Sequence, residues 1–257
     1  MSRTYDRIPM GGSEEGFQTT LWSKIINAKT LDEPRRREFV NELIKKYWKP
    51  VYCYLRRKGN SNESAEDITQ GFFCEVVLGR ELIQQADQTK GRFRTFLLTS
   101  LRRYATDVYD KETARKRSPK GQMLSLETND AANLLETQSK SAPDQIFNYA
   151  WASEVLNQVL AKVKSDCCNA GRGTYWKVFY AKVVAPIVGS AETPELRELC
   201  TQYGIKSEAK VSNMIAYVKD RFRVAMRRHL RQFVQSDSDV EDEFNEIFRI
   251  LLRDYTK

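Results

Sequence analysis

The chain has 257 residues, with 42 Lys and Arg against 34 Asp and Glu, a formal net charge of +8 and 41% hydrophobic side chains. That length holds one large core or two small ones, and the positive balance points to a polyanionic partner. Its five cysteines fall at no framework spacing, histidine occurs once and no apolar run approaches membrane-span length, which argues against a disulfide scaffold, a zinc-ligand set and an integral membrane protein.

Gly (12) and Pro (7) are scarce and apolar residues recur at i, i+3 and i+4, so an all-α chain is expected. Residues 1–16 read as a disordered polar tail without a signal-peptide core, which predicts a cytoplasmic protein. Leu21, Trp22, Ile25 and Ile26 share one side of a first helix. Phe39, Val40, Leu43, Ile44 and Tyr47 mark a second, continued past Pro50 by Val51, Tyr52 and Leu55. Pro50 removes a backbone donor and predicts a kink or break. Gly59-Asn60 stops this helix, and Ser61 or Asn62 can cap the next, with Glu63, Glu66 and Asp67 near its positive end.

The run Ala65 to Phe73 gathers acidic, amide and aromatic groups, among them Glu66, Asp67, Gln70, Phe72 and Phe73. Phe72 and Phe73 are adjacent, so they are not expected to enter one small core together. The face reads as a protein-docking surface, against the plainer reading of core plus solvated face. A helix from about Phe93 to Arg115 then interleaves Arg92, Arg94, Arg102, Arg103, Lys111 and Arg115 with Phe93, Phe96, Tyr104 and Tyr109. Positive charge tracks a phosphate backbone and aromatic faces stack on bases. Phe93, Phe96, Leu97 and Leu101 have core spacing, and Tyr104 and Tyr109 fit either role. The loop from Gln88 through Lys90 to Arg92 can wall a pocket for a base pulled from its stack. Residues 90–120 carry ten Lys and Arg against three Asp and Glu.

Residues 116–145 are polar, with Pro119, Gly121 and Pro143 as breakers, and read as a flexible linker. Ile146, Phe147, Trp151, Val155, Leu156, Val159, Leu160 and Val163 form a strong helical stripe after it. A helix with Trp176, Phe179, Tyr180 and Val183 follows. Pro194 opens a short one, Tyr203-Gly204-Ile205 turns, and Ser207 can cap a longer helix. There Val211, Ile215, Val218 and Phe222 predict a buried stripe, leaving Glu208, Lys210, Asn213, Met214 and Tyr217 outward. This is a helix-turn-helix pattern, whose second helix meets base edges with its N-terminal part. Asn213 can pair with adenine, Lys210 with guanine or phosphate, and Lys219, Arg221, Arg223, Arg227 and Arg228 with phosphates. Residues 206–231 carry eight Lys and Arg against two Asp and Glu. A helical hairpin with a solvated basic face is the plainer reading. In the tail, Val240, Phe244, Ile247, Phe248, Leu251, Leu252 and Tyr255 make an amphipathic helix behind the acidic run 237–243.

In the phrases Phe17 to Trp22, Tyr47 to Tyr52, Ala65 to Phe73 and Gly91 to Leu98, the chain resembles a bacterial sigma factor of the extracytoplasmic-function group of the sigma-70 family. The resemblance runs from about Phe17 to Arg231. It implies two helical domains: region 2 over 17–115, which binds core RNA polymerase and the −10 promoter element, and region 4 over 146–234, which reads the −35 element. The 116–145 linker would thread along the polymerase, and 235–257 would be a C-terminal extension.

By this resemblance Glu66, Asp67, Gln70 and Phe73 dock on the polymerase clamp coiled-coil, and region 4 meets the polymerase flap. Lys90, Arg92 and Arg94 lie at the loop that captures a flipped base. Arg102, Arg103, Tyr104 and Arg115 lie on the −10 surface, and Ser207, Lys210, Asn213, Met214, Tyr217, Lys219 and Arg221 on the −35 surface. No catalytic chemistry, metal or cofactor is implied. Promoter DNA and core polymerase are the partners, with an anti-sigma protein or other regulator as a third class. Arg103 departs from an Asn common in the wider group, Cys167 to Thr193 is a long insertion, and the tail exceeds a minimal member. The tail helix is expected to pack on the −35 domain or contact a regulator. A stand-alone repressor and an enzyme acting on nucleic acid are the rival readings. The second lacks clustered metal carboxylates, a Gly-rich phosphate loop or a Ser/His/Asp set.

Overall fold

The computed structural model describes residues 33–78, 92–114, 129–137, 141–189, 192–231, 234 and 237–252. Every element among them is helical. Helix α1, Glu33–Arg57, runs through Pro50 without a break. Tyr47, Val51, Tyr52, Cys53, Tyr54 and Leu55 on either side of it are all buried. Burying that many large side chains outweighs the roughly 3 kcal/mol that an interior proline costs. The helix stops where Gly59 takes φ 97°. Asn60 Nδ2 donates there to the Leu55 carbonyl at 2.8 Å and to Tyr109 Oη at 2.6 Å, tying the stop to a later helix.

Helix α2, Asn62–Gly71, is capped by Ser61, whose Oγ accepts from the Ser64 amide at 3.2 Å. It passes directly into a π-helical turn, Phe72–Leu78. Wider winding changes the angular step between successive residues. Phe72 and Phe73 are thereby both buried, at 0% and 1% exposure, with rings edge-to-face at 5.4 Å. This corrects the expectation that two adjacent phenylalanines would not share one core.

Helix α3 is Phe93–Ala114. Helix α4, Asn129–Thr137, lies inside the segment expected to be a flexible linker. It buries Ala131 and Leu134, and Arg57 Nη2 donates to the Leu135 carbonyl at 3.0 Å. Helix α5, Pro143–Asn169, starts with Pro at its first turn, where no donor is lost, and the Ala142 amide donates to Gln145 Oε1 at 2.9 Å. Helix α6, Gly173–Phe179, continues as a π turn, Tyr180–Val184, and then as α7, Ala185–Gly189. Helix α8, Leu196–Tyr203, ends at Gly204, whose φ of 64° is left-handed. Helix α9 is Glu208–Arg231 and α10 is Asp237–Leu252.

Helix α5 is the centre. Helix α1 packs along it, and α6, α9 and α10 pack on it as well. Its stripe Ile146, Phe147, Ala150, Trp151, Val155, Val159 and Val163 is buried. One continuous buried cluster therefore spans residues 43–251 and joins the two halves that the sequence divides at 116–145. The amphipathic tail helix α10 packs on α9 and α5.

Candidate nucleic-acid interface

The outer face of α2 presents Glu63 and Asp67 to solvent, with Gln70 half-buried. Glu66 and Phe73 do not join them. Glu66 is 5% exposed and accepts from Asn62 Nδ2 at 3.0 Å, while Asn62 Oδ1 accepts from the Tyr52 hydroxyl. Phe73 stacks on Trp48 with centroids 6.2 Å apart. Glu66 is one residue before Asp67 and faces α1, which closes a hydrogen-bonded corner rather than a docking face. Of the four docking candidates, Asp67 and Gln70 are reachable.

Helix α3 crosses the π turn that follows α2 through a close approach at Gly71. A Cβ built there would run into Tyr104 Oη. Tyr104 also packs on Phe72 with ring centroids 5.8 Å apart. Burial, with the Glu75 carboxylate beside it, raises the Tyr104 hydroxyl to about 12. Tyr104 is therefore a packing residue between helices. The need for glycine at 71 was missed from sequence, where its one signal was a glycine inside a helical pattern. Arg102 and Arg103 face solvent. Arg102 pairs with Asp144 at the start of α5, both side chains being about half exposed.

Arg94 behaves differently. It is 6% exposed, lies with its guanidinium 4.4 Å over the Trp151 ring and pairs with Glu243 of α10. Glu243 is 2% exposed, and its other oxygen is 3.1 Å from Arg92 Nε. Glu246 Oε1 stands 3.8 Å from Arg94 Nη2. Burial pushes the Glu243 carboxyl up, and the Arg94 and Arg92 guanidiniums oppose that rise. Arg94 thus corrects the expectation of a surface cation. It sits at the second residue of α3, one side toward α5, and the facing carboxylate comes from 149 residues away. Glu243 was missed from sequence. Its signal was position: with Val240, Ile247 and Leu251 it falls on the buried stripe of α10, where a carboxylate requires a partner. Lys90 and Arg115 lie outside the described residues.

A second basic surface starts at the turn between α8 and α9. Ser207 Oγ accepts from the Lys210 amide at 3.3 Å. Ser207, Lys210, Asn213, Lys219 and Arg221 are exposed. Met214 is not: at 6% exposure it joins Val211, Ile215 and Val218 in the core. The buried face of α9 follows i, i+3, i+4, i+7, wider than the stripe read from sequence, and position 214 falls on it. Tyr217 is half-buried, with the Arg172 guanidinium 4.4 Å and that of Arg221 5.3 Å from its ring. Arg172, from the 167–193 insertion, is a further cation at this surface and had no signal in sequence. Farther along α9, Arg223 pairs with Asp220 at 3.0 Å and Arg227 with Glu241 of α10 at 2.5 and 3.2 Å.

Among the described residues, no group of three or more His, Cys, Asp or Glu is placed to hold a metal, and no helix is long and apolar enough to cross a membrane. What the geometry does assemble is an acidic helix face beside one basic helix, with a second basic helix led by a tight turn.

Residues 43–115 match the family model for sigma-70 region 2. Within the described residues this span takes in most of α1, all of α2 with its π turn, and α3. Comparisons with curated proteins and with solved structures returned no match. The match covers this one region, under a third of the chain, and over that span the chain is similar to region 2 of sigma-70 factors. Within the matched span, Asp67, Gln70, Arg92, Arg102 and Arg103 reach the surface, whereas Glu66, Phe73 and Arg94 are buried.

Proposed function

We propose that the chain is a cytoplasmic sigma factor of the extracytoplasmic-function type. In this reading it docks on the clamp of core RNA polymerase through Asp67 and Gln70. Arg92, Arg102 and Arg103, with Lys90 and Arg115 beyond the described residues, hold the −10 strand, and Arg94 joins them only when freed from Glu243. Tyr104 supports that surface from within. Helices α8 and α9 act as a helix-turn-helix on −35 duplex DNA, with Lys210 and Asn213 at base edges and Ser207, Lys219 and Arg221 at phosphates. Unstacking a −10 base costs a few kcal/mol, which base capture and backbone contacts offset. The division of labour is region 2 over 17–115, a connection over 116–145, region 4 over 146–234 and the extension over 235–257.

The observation that carries this reading is the juxtaposition within the matched span: the exposed Asp67 carboxylate and half-buried Gln70 amide on α2 beside exposed arginines on α3. An acidic face repels phosphate and suits a protein, while the neighbouring basic face suits nucleic acid.

Run-off transcription on fragments of the native genome, with and without core polymerase, tests it. Discrete transcripts that need both proteins are the expected result. Tight promoter binding in the absence of polymerase, with no transcripts, would instead establish a stand-alone repressor. Asp67→Arg is expected to weaken polymerase binding tenfold or more by about 1.4 kcal/mol or above, with its melting temperature unchanged. Full affinity in that variant would remove α2 as the docking helix.

A further inference from the structure

Glu243 holds Arg92 and Arg94 in a manner that resembles how an arginine clamp holds a phosphate. One carboxylate oxygen meets Arg94 Nη1 and the other lies 3.1 Å from Arg92 Nε. Glu246 Oε1 lies 3.8 Å from Arg94 Nη2, and its other oxygen pairs with Arg249. Guanidinium forks bind either carboxylate or phosphate, because their planar array of N–H donors matches the paired acceptor oxygens of both. The Trp151 ring under Arg94 orients the fork without neutralising it.

We propose that α10 is an internal competitor for the DNA backbone: Glu243, backed by Glu246, occupies Arg92 and Arg94 in the free protein, and −10 DNA is captured only when α10 leaves them. The proposal rests on the reading of Arg92 and Arg94 as DNA-facing residues and adds their regulation.

The energetics favour exchange. A buried ion pair is rarely more stable than apolar residues in its place, since desolvation cancels most of the attraction. Releasing Glu243 returns a desolvated carboxylate to water, and an incoming phosphate satisfies Arg94 in its stead. A half-open groove of about 380 Å³ borders the adjoining side of α10, between Phe244 and Phe248 and residues of α5, α6, α7 and α9 such as Phe179 and Phe222. The Arg227–Glu241 pair near the start of α10 is exposed and easily screened.

The test uses the full chain, a fluorescent random-sequence single-stranded 20-mer at low salt, and amide hydrogen exchange. Glu243→Gln is expected to tighten DNA binding about fivefold or more, and Glu246→Gln, at a position that tolerates change, about twofold. In the unmodified protein, DNA is expected to speed exchange in residues 237–252. Unchanged or weaker binding in both variants, or slower or unchanged exchange in α10 on adding DNA, overturns the competitor role. Arg92→Ala separates the two ideas. If it weakens DNA binding while the Glu variants and exchange do nothing, Arg92 faces DNA and α10 is only a structural prop. If Arg92→Ala binds DNA as well as the parent, the DNA-facing assignment fails and the competitor role fails with it.

Discussion

At α3, Arg92 just before the helix and Arg94 and Arg102 on it each meet a carboxylate from the C-terminal half, whereas on α9 Lys210 and Asn213 project from the first two turns into solvent. Both helices lie in basic runs that look alike when charges are counted along the chain. The difference is in what packs opposite. Helix α3 begins against α10 and α5, so its first arginines are enclosed and must be paired. The start of α9 follows a left-handed turn at Gly204 and buries Val211, Met214 and Ile215 on one face, which leaves Lys210 and Asn213 on the other. Charge density in sequence therefore indicates attraction for a polyanion, while availability depends on which carboxylates the fold brings near.

The sharpest way to break this comparison is Glu243→Ala. Removing one partner of a buried pair strands the other charge, so a loss of about 3–5 kcal/mol is expected in urea unfolding. Arg94→Met with Glu243→Leu should recover most or all of it. A single-variant loss below about 1 kcal/mol would mean that the pair is solvated, and the enclosed surface would then be no different from the open one.

The far end of α9 is closed like the start of α3, and pH probes it. Burial, helped by nearby Lys46, depresses the His229 imidazole from 6.5 to about 4. The folded state thus resists protonation that the unfolded chain accepts. The stability from neutral His229 is complete above about pH 6.5 and is lost as pH falls toward 4, by at most roughly 2–3 kcal/mol. The parent should lose more stability than His229→Gln between pH 7 and pH 4.5; equal losses would place that end of α9 in water.

A smaller effect is expected where α2 meets α3. Gly71→Ala forces a methyl against Tyr104 Oη and should cost about 1–3 kcal/mol. Adding Tyr104→Phe removes the oxygen that clashes and should return much of that loss in thermal unfolding. Failure of this rescue would show that the strain is elsewhere than at Tyr104 Oη.

The smallest change in stability belongs to the open surface. Lys210→Ala should leave unfolding within about 0.5 kcal/mol, yet cost about 1–3 kcal/mol of base discrimination at one position of the duplex site. A loss of stability comparable to that of Glu243→Ala would mean that α9 is enclosed after all.

Several of these features could be read from residues alone. The stripe Ile146, Phe147, Trp151, Val155, Val159 and Val163 predicted the buried face of α5, and Ser61, Ser207 and Gly204 marked helix ends that the fold uses. Met214 was placed outward because a stripe spaced by four and three residues looks narrow, while α9 is flanked by α5, α6 and α8 and buries a wider face. Phe72 and Phe73 were set apart because α-helical winding separates neighbours by about 100°. A π turn, which depends on the packing of α1 and α3 around it, brings both inward.

Helical periodicity, cap chemistry and the sign of each surface were determined by the sequence by itself, because each depends on residues within a turn or two of one another. The enclosure of Arg94, the pairing of Glu243 with two arginines, the demand for glycine at 71 and the continuity of the core across 116–145 were decided only by the tertiary structure. Each depends on which side chain arrives from a distant helix, and burial turns that arrival into an energetic requirement, because a charge or a methyl group out of water must be matched by whatever the fold places beside it.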